Sequence, residues 1–405
     1  MFLRSFYIFF GVLVTLFPKR NSVFRRINMS TEQKQRKRST GQQIRRWSLT
    51  LLGVIVLGIV VFLLMPAPVE PAVWSAPAAP SFEKEGPWKE NNKLSSAELV
   101  TDRAKFPEFI TFDKEGRLYA GDSDGKIYRV TFDAEDKAQP AEVFADTHGT
   151  PNGLKFDAAG NLIVADIQKG LLSIDPNGNI EVLTTEVDGG PIYLANELDI
   201  AQDGSIYFSD TSNYGKVMFK EIAENKPHGR LLKYDPLTKQ TTVLLKDLYF
   251  ANGVVLSAEE DFVLVAESYH YQLTRYWLKG PKQGTSDIFA ENLAGFPDNI
   301  TRDAQGHFWV GVFTTRLSFA DYMHSHPWLA ATMSKVPQSL LNGASAPVKH
   351  GLVAEYGPEG ELIRSWHDPE GTLYGITTAV NQGKYVYLGT APGGSQGVHR
   401  VPLKP

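Results

Sequence analysis

From Phe109 onward the chain alternates short apolar runs with polar turns that usually contain glycine, and the alternation recurs. FITFDKEGRLYAGD begins at Phe109, GLKFDAAGNLIVAD at Gly153, ELDIAQDGSIYFSD at Glu197, GVVLSAEEDFVLVAES at Gly253 and NITRDAQGHFWVGV at Asn299. A weaker copy, GITTAVNQGKYVYLGT, begins at Gly375. Each copy reads as an apolar strand, a tight turn and a second apolar strand. More strand-like sequence follows, as in GKIYRVTFD and GRLLKYDPLTKQTTVLL. Most copies lie 44 to 56 residues apart, the length of a four-stranded propeller blade. Six copies predict an all-β fold, a six-bladed β-propeller over 101–405. A β-sandwich has no reason to repeat one turn register six times.

The register carries a second regularity. Eight residues before the turn glycines Gly116, Gly160, Gly204 and Gly306 stand Glu108, Asn152, Asn196 and Asp298. In the fourth copy Glu260 replaces the glycine, and eight back is Asn252; from Gly383 the count reaches Gly375. One Asn or Asp ahead of a strand is an ordinary turn residue. Five polar residues at one register, each at the start of a blade's first strand, predict a set that converges on the central channel near one mouth. The donors are all oxygens, two of them from carboxylates, which suits a hard cation, above all Ca²⁺. Mg²⁺ and Mn²⁺ suit the same donors when waters complete the shell.

The N-terminal part follows another pattern. Residues 47–69 carry no charge and include LLGVIVLGIVVFLLM, long enough for a transmembrane helix. A basic leader precedes it, with Lys34, Arg36, Lys37, Arg38, Arg45 and Arg46, and a nearly uncharged PAPVEPAVWSAPAAP follows. The positive-inside bias places residues 1–46 in the cytoplasm and the propeller outside. A conventional basic leader begins at Met29, which leaves 1–28 doubtful as translated sequence. Residues 70–100, rich in Pro and Ala, read as an extended linker. The bilayer is thus one expected partner.

Composition narrows the chemistry. The 405 residues contain no cysteine, which removes disulfides, thiol nucleophiles and thiolate-held zinc together. A net charge of -4 offers no global field for nucleic acid. A large outward domain without disulfides or useful glycosylation sequons points to a periplasmic location.

NELDIAQDGSIYFSDTSN, FANGVVLSAEEDFVLVAES, GFPDNI and HDPEG, together with the anchor, resemble the strictosidine-synthase-like family of six-bladed calcium propellers, more distantly related to gluconolactonase/regucalcin and the paraoxonases. The resemblance covers about residues 100–403. It implies a catalytic calcium near one end of the channel, held by Glu108, Asn196, Asn252 and Asp298, with Asn299 adding a contact as in the paraoxonase pattern. Two departures bear on activity. The last-blade glutamate of strictosidine synthase is replaced by Ile376, Thr377 and Thr378, which argues against strictosidine synthesis. Asn152 stands where paraoxonases carry a functional histidine.

The expected activity is therefore hydrolysis of a small-molecule lactone or aryl ester, the metal polarising the carbonyl and a carboxylate activating water. Asp298 is the first choice of base and Glu108 the second, although a carboxylate bound tightly to a cation is a weak base; His228 is a spare. The 314–350 stretch is too long for a hairpin and is a candidate lid, with Asn152, His324, His326 and Trp328 as expected pocket residues. A tethered binding or scaffold propeller with a structural ion is the competing reading.

Overall fold

The computed structural model describes residues 31–213, 218–341 and 347–403. The doubtful 1–28 segment lies outside them. The chain forms two units, Met1–Pro66 and Ala67–Pro405.

In the first unit a helix runs over Thr31–Leu64, and its Gln42–Leu64 portion is long and apolar enough to cross a membrane. The helix ends before Pro66, which lacks the N–H needed to continue it; the apolar span is thus helical over less of its C-terminal end than the 47–69 reading.

In the second unit six four-stranded antiparallel sheets form a six-bladed propeller. The innermost strands are Pro107–Phe112, Pro151–Phe156, Ala195–Ile200, Ala251–Leu256, Gly295–Arg302 and Ile376–Gln382. Each of these strands neighbours the innermost strand of the next blade, so the ring closes. Closure also uses the strand Glu98–Thr101, which pairs with Val398–Pro402 and completes the sixth sheet. The sheets are sealed to one another by residues such as Leu264, Phe308 and Val310, and Trp309, Ile376 and Leu388.

The turn register is physical. Gly116, Gly160, Gly204, Gly306 and Gly383 all have positive φ, and Glu260 adopts the same left-handed conformation at φ 52°. At the sixth copy Gly375 has φ +70°, and an added Cβ would lie 2.5 Å from the Gly394 Cα. No side chain fits there, which explains why the polar register stops after five blades.

Residues 70–97 have almost no regular structure but lie along the propeller. The Ala72 N–H donates to the Glu224 carbonyl (2.8 Å) and that of Trp74 to the His324 carbonyl (3.1 Å). Phe82 stacks on His350, and Asn91 Nδ2 donates to the Ser365 carbonyl at 2.9 Å. The 314–350 insertion contains the helices Ser318–His324, Pro327–Ser334 and Gln338–Leu341. Antiparallel pairing puts the connection between second and third strands at the end of the ring where first strands begin. The insertion in blade five and the helix Met218–Glu224 in blade three are both such connections, so both stand at that end.

Candidate metal centre

Every innermost strand has a register irregularity at its start, within Pro107–Ile110, Pro151–Gly153, Ala195–Leu198, Ala251–Val254, Pro297–Ile300 and Ile376–Thr378. A bulge interrupts ladder pairing and re-aims the side chains beside it. The expected ligands Glu108, Asn196, Asn252, Asp298 and Asn299, and the expected pocket residue Asn152, all sit at these interruptions. Small residues let neighbouring strands approach there: a Cβ on Gly253 would meet the Asp298 carbonyl oxygen and Ile300 nitrogen at 2.5 Å.

Bonds across blades hold the set. Asn299 Nδ2 donates to the Glu108 carbonyl (3.1 Å) and to Thr378 Oγ1 (2.9 Å). Thr377 and Thr378 hydroxyls donate to the same carbonyl at 2.7 and 2.9 Å. The hydroxyls in the last blade therefore help close the ring. Asn252 Nδ2 donates to Ser268 Oγ (3.3 Å), and that hydroxyl donates to the Pro297 carbonyl (2.6 Å). Asn152 Nδ2 reaches Asn196 Oδ1 at 3.4 Å, so Asn152 supports a neighbouring member of the set.

Each of these bonds uses an amide nitrogen or a main-chain oxygen and leaves other oxygens without a donor. Asn252 Oδ1, Asp298 Oδ1 and Asn299 Oδ1 are fully buried and unpaired. Buried polar atoms are nearly always hydrogen-bonded, so three orphaned acceptors at and next to the register positions call for a cation. Burial, the Glu108 charge and, in the opposite sense, hydrogen bonding from Asn252 together leave the Asp298 carboxyl well above its ordinary range. Burial pushes Glu108 up to about 7. Two acids that resist ionisation side by side, ringed by unpaired carbonyl oxygens, fit a divalent cation.

The repeat contains a second set of acids that do not fit one. Asp122, Asp166, Asp210 and Glu267 end the second strands and are also buried. Their oxygens accept main-chain N–H groups ahead of the first strands: Lys105 to Asp122, Thr150 to Asp166, Leu194 to Asp210 and Tyr249 to Glu267, at 2.8 to 3.0 Å. These four brace the loops. Asp303, His307 and Glu355 also come close enough for one ion. Their atoms are instead engaged: Trp309 Nε1 donates to Asp303 Oδ2 (3.0 Å), His307 Nδ1 lies 2.8 Å from Glu355 Oε1, and Arg364 pairs with Glu355. That group is an ion-pair network.

The sequence reading missed two acids. Glu197 follows Asn196 in the same irregular strand and is fully buried; Leu198 N–H satisfies Oε1 at 3.0 Å, and Oε2 has no partner. Burial raises its carboxyl well above the usual range, and Asp298 adds to the effect. The signal in ELDI was a charge where an inner strand ordinarily carries an apolar residue. Glu221 lies on the helix Met218–Glu224, also buried, and burial pushes it up to about 7. Tyr269 senses the Glu221 charge, and its hydroxyl is unpaired. Tyr269 adjoins Ser268, the partner of Asn252. Nothing in the sequence ties Glu221 to the register.

The insertion residues separate. His324 is buried, with Nε2 2.8 Å from the Ile222 carbonyl, and its ring lies 5.8 Å from that of Trp74. The Nε2 proton thus faces a carbonyl, and Nδ1 is an unpaired acceptor. His270 stacks between Trp74 and Tyr249, and burial pushes it down to about 4. Together with Glu221 and Tyr269 these rings form a buried polar group beside the Asn252 end of the register. His326 packs on Tyr322 and bonds its carbonyl at 2.8 Å, and Trp328 is 64% exposed; neither joins that group. His228 Nε2 lies 3.0 Å from Glu224 Oε2 and is engaged with that carboxylate.

Comparison with known proteins agrees with the propeller fold. Residues 196–281 match a family model described as strictosidine synthase, and residues 86–130 one described as the strictosidine synthase-like N-terminal region. Strictosidine synthase-like protein 13 of Arabidopsis thaliana is 34% identical over 329 residues, covering 73% of this chain and 81% of that one. The adipocyte plasma membrane-associated protein of Salmo salar is 32% identical over 373 residues, covering 87% and 89%. Among solved structures, a gluconolactonase from Xanthomonas campestris superposes with a TM-score of 0.55 at 16% identity, covering 84% of this chain and 99% of its own. A calcium-binding regucalcin from Agrobacterium tumefaciens gives 0.53 at 14%, covering 75% and 92%. At such identities the two structures speak for the fold.

Proposed function

We propose, for a chain that belongs to the strictosidine synthase-like family of six-bladed propellers, that it is a membrane-anchored, calcium-dependent hydrolase of lactones or aryl esters. The observation that carries this reading is the trio of unpaired buried oxygens on Asn252, Asp298 and Asn299, beside two carboxyls that burial holds above their usual range. Glu108, Asn196, Asn252, Asp298 and Asn299 would hold the ion. A bound divalent cation supplies a Lewis acid that polarises an ester carbonyl and stabilises the oxyanion.

The chain supplies the rest. Asp298 is the proposed base for the attacking water, because its Oδ1 has no protein donor to give up. Glu108 is the alternative, as the half-buried carboxylate of the set. Glu221, Tyr269, His270 and His324 would bound the substrate, and the neutral imidazoles leave that side without a fixed positive charge. Thr377 and Thr378 carry no carboxyl and are committed to the Glu108 carbonyl, so these last-blade positions offer no acid for an amine–aldehyde condensation.

One observation favours the competing scaffold reading: the ligand residues tie neighbouring blades together, and an ion there would brace the ring whether or not it works on substrate. A single set of assays separates the two. Lactone and aryl-ester hydrolysis is measured with calcium, with chelator, and in Asn252→Ala. Turnover that needs both calcium and Asn252 supports the hydrolase. No turnover in any condition, with chelation only lowering the melting temperature, establishes the scaffold.

A further inference from the structure

Residues 82–95 form a strap along the outermost strand of blade five, Leu362–Asp368, and two histidines lie beneath it. His350 stands just before the strand Gly351–Tyr356, and His367 is on Leu362–Asp368. Both are buried, with His350 Nε2 2.9 Å from His367 Nδ1. Phe82 stacks on His350 at a centroid distance of 5.2 Å and meets His367 edge-on at 4.9 Å. Phe82 and Trp88 also pack on Val312 and Leu352. The His367 N–H donates to Asn91 Oδ1 (3.2 Å), and Ser95 Oγ donates to Asp368 Oδ1 (3.0 Å).

Hydrogen bonding fixes where the protons of this group sit. The Pro87 carbonyl can only accept, so Ser365 Oγ, 2.7 Å away, spends its one hydrogen there. Ser365 Oγ then accepts from His367 Nε2, also at 2.7 Å. Neutral His367 is left with a bare Nδ1, which accepts from His350 Nε2. The same order excludes Ser365 as a nucleophile activated by His367, because the imidazole is the donor. A first added proton fits His350 Nδ1, at the cost of burying a charge against Phe82. A second, on His367 Nδ1, would face the Nε2–H of His350 and a like charge. Glu90 on the strap and Asp368 on the strand are the acids that face the pair, and both favour a charged His350. Burial outweighs them and holds His350 below its ordinary range. Burial, with the His350 charge adding to it, pushes His367 down to about 4.

We propose that His350 and His367 form an acid-operated latch: their protonation releases residues 82–95 from blade five and uncovers the apolar surface at Val312 and Leu352. The chain is held on either side of the strap, by the Trp74 N–H on the His324 carbonyl and by the strand Glu98–Thr101 on Val398–Pro402. Release therefore opens a loop and leaves the ring closed. Once the strap is off, each imidazole takes up a proton at its ordinary pKa. The docked strap is thus most stable above about pH 6.5, and it weakens by up to about tenfold per pH unit for each proton taken up as the pH falls toward 4.

The chain contains no cysteine, so a single introduced thiol reports on one position. Leu352→Cys and, separately, Val312→Cys lie under the strap; Val164→Cys is buried in a core that the strap does not touch. The full chain in detergent is treated with dithiodipyridine, which reacts with thiols in acid as well as at neutral pH, and each rate is divided by that of a free thiol at the same pH. The expected result between pH 6.5 and pH 4.5 is a rise of at least about tenfold at positions 352 and 312, with none at 164. Adding His350→Gln or His367→Gln should abolish the rise, because the amide cannot take up a proton. No rise at the covered positions, an equal rise at 164, or a rise that persists with both glutamine substitutions overturns the proposal. Two covered positions keep the test intact if one variant fails to fold, and the readout requires neither metal nor turnover.

Discussion

Removing the metal should destabilise this protein in a pH-dependent way. In the metal-free protein Glu108 is raised from 4.5 to about 7 and Asp298 is raised further above its usual range. A carboxyl raised in the folded state favours folding fully below its unfolded pKa, and that contribution is lost as pH rises through the folded value. For Glu108 the difference of 7 − 4.5 pKa units, at 1.36 kcal/mol each, gives about 3 kcal/mol. The unpaired oxygens of Asn252, Asp298 and Asn299 add about 1–3 kcal/mol apiece, but their contribution to the metal-free penalty is independent of pH for the two amides. Bound calcium removes both costs only where the carboxylates are ionised. Chelation should therefore lower the melting temperature more at pH 8 than at pH 5. At about 2 °C per kcal/mol for a large domain, the pH-dependent part alone is about 6 °C. Differential scanning calorimetry of the full chain in detergent, with calcium and with chelator at both pH values, provides the measurement. A chelator effect of the same size at pH 5 and pH 8, or a metal-free melting temperature that falls with rising pH over this range in Glu108→Gln as much as in the natural chain, would refute the reasoning.

Further predictions follow from individual contacts. Asp298→Asn keeps an oxygen ligand but removes the base, so hydrolysis should fall at least about 100-fold while calcium, followed by isothermal titration calorimetry, still binds. Gly253→Ala drives a Cβ into the Asp298 and Asn299 backbone; it should cost about 1–3 kcal/mol in denaturant unfolding and weaken calcium binding although no ligand is changed. Glu221 is buried with burial raising it to about 7, so its stabilising protonated form is lost above that pH. Glu221→Gln should leave stability at pH 5.5 nearly unchanged and raise it at pH 8.5, read from urea midpoints, and a uniform loss at both pH values would argue against a buried neutral carboxyl.

The fold was legible because strand periodicity and turn chemistry are local. An apolar strand, a left-handed turn residue and a second strand recur six times, and Glu260 supports the register even where glycine is absent. The five polar positions followed from the same counting, and Asn299 came from family resemblance. The insertion was legible as an excess of residues, and its end of the ring follows from antiparallel pairing once the blades are known. His324, His326 and Trp328 were equivalent in sequence; only packing separated the buried imidazole from the exposed indole. The strand Glu98–Thr101 lay inside a stretch read as linker, because its partner Val398–Pro402 is at the far end of the chain.

By itself the sequence determined which residues could face the channel, since a repeated register puts equivalent positions of every blade on one axis. It could not determine which of them lacked partners. Asp122, Asp166, Asp210 and Glu267 recur as regularly as Glu108 and Asp298, and in composition they are the same kind of residue. Ring closure separates the two sets. The acids at the ends of the second strands meet backbone N–H groups of loops that the fold brings to them, and their charges are satisfied. Glu108 and Asp298 lie beside the amide oxygens of Asn252 and Asn299, whose N–H groups are spent on Ser268, the Glu108 carbonyl and Thr378. Hydrogen-bond satisfaction is a property of long-range neighbours, so only the tertiary structure distinguishes the acids that brace the propeller from those that call for a cation.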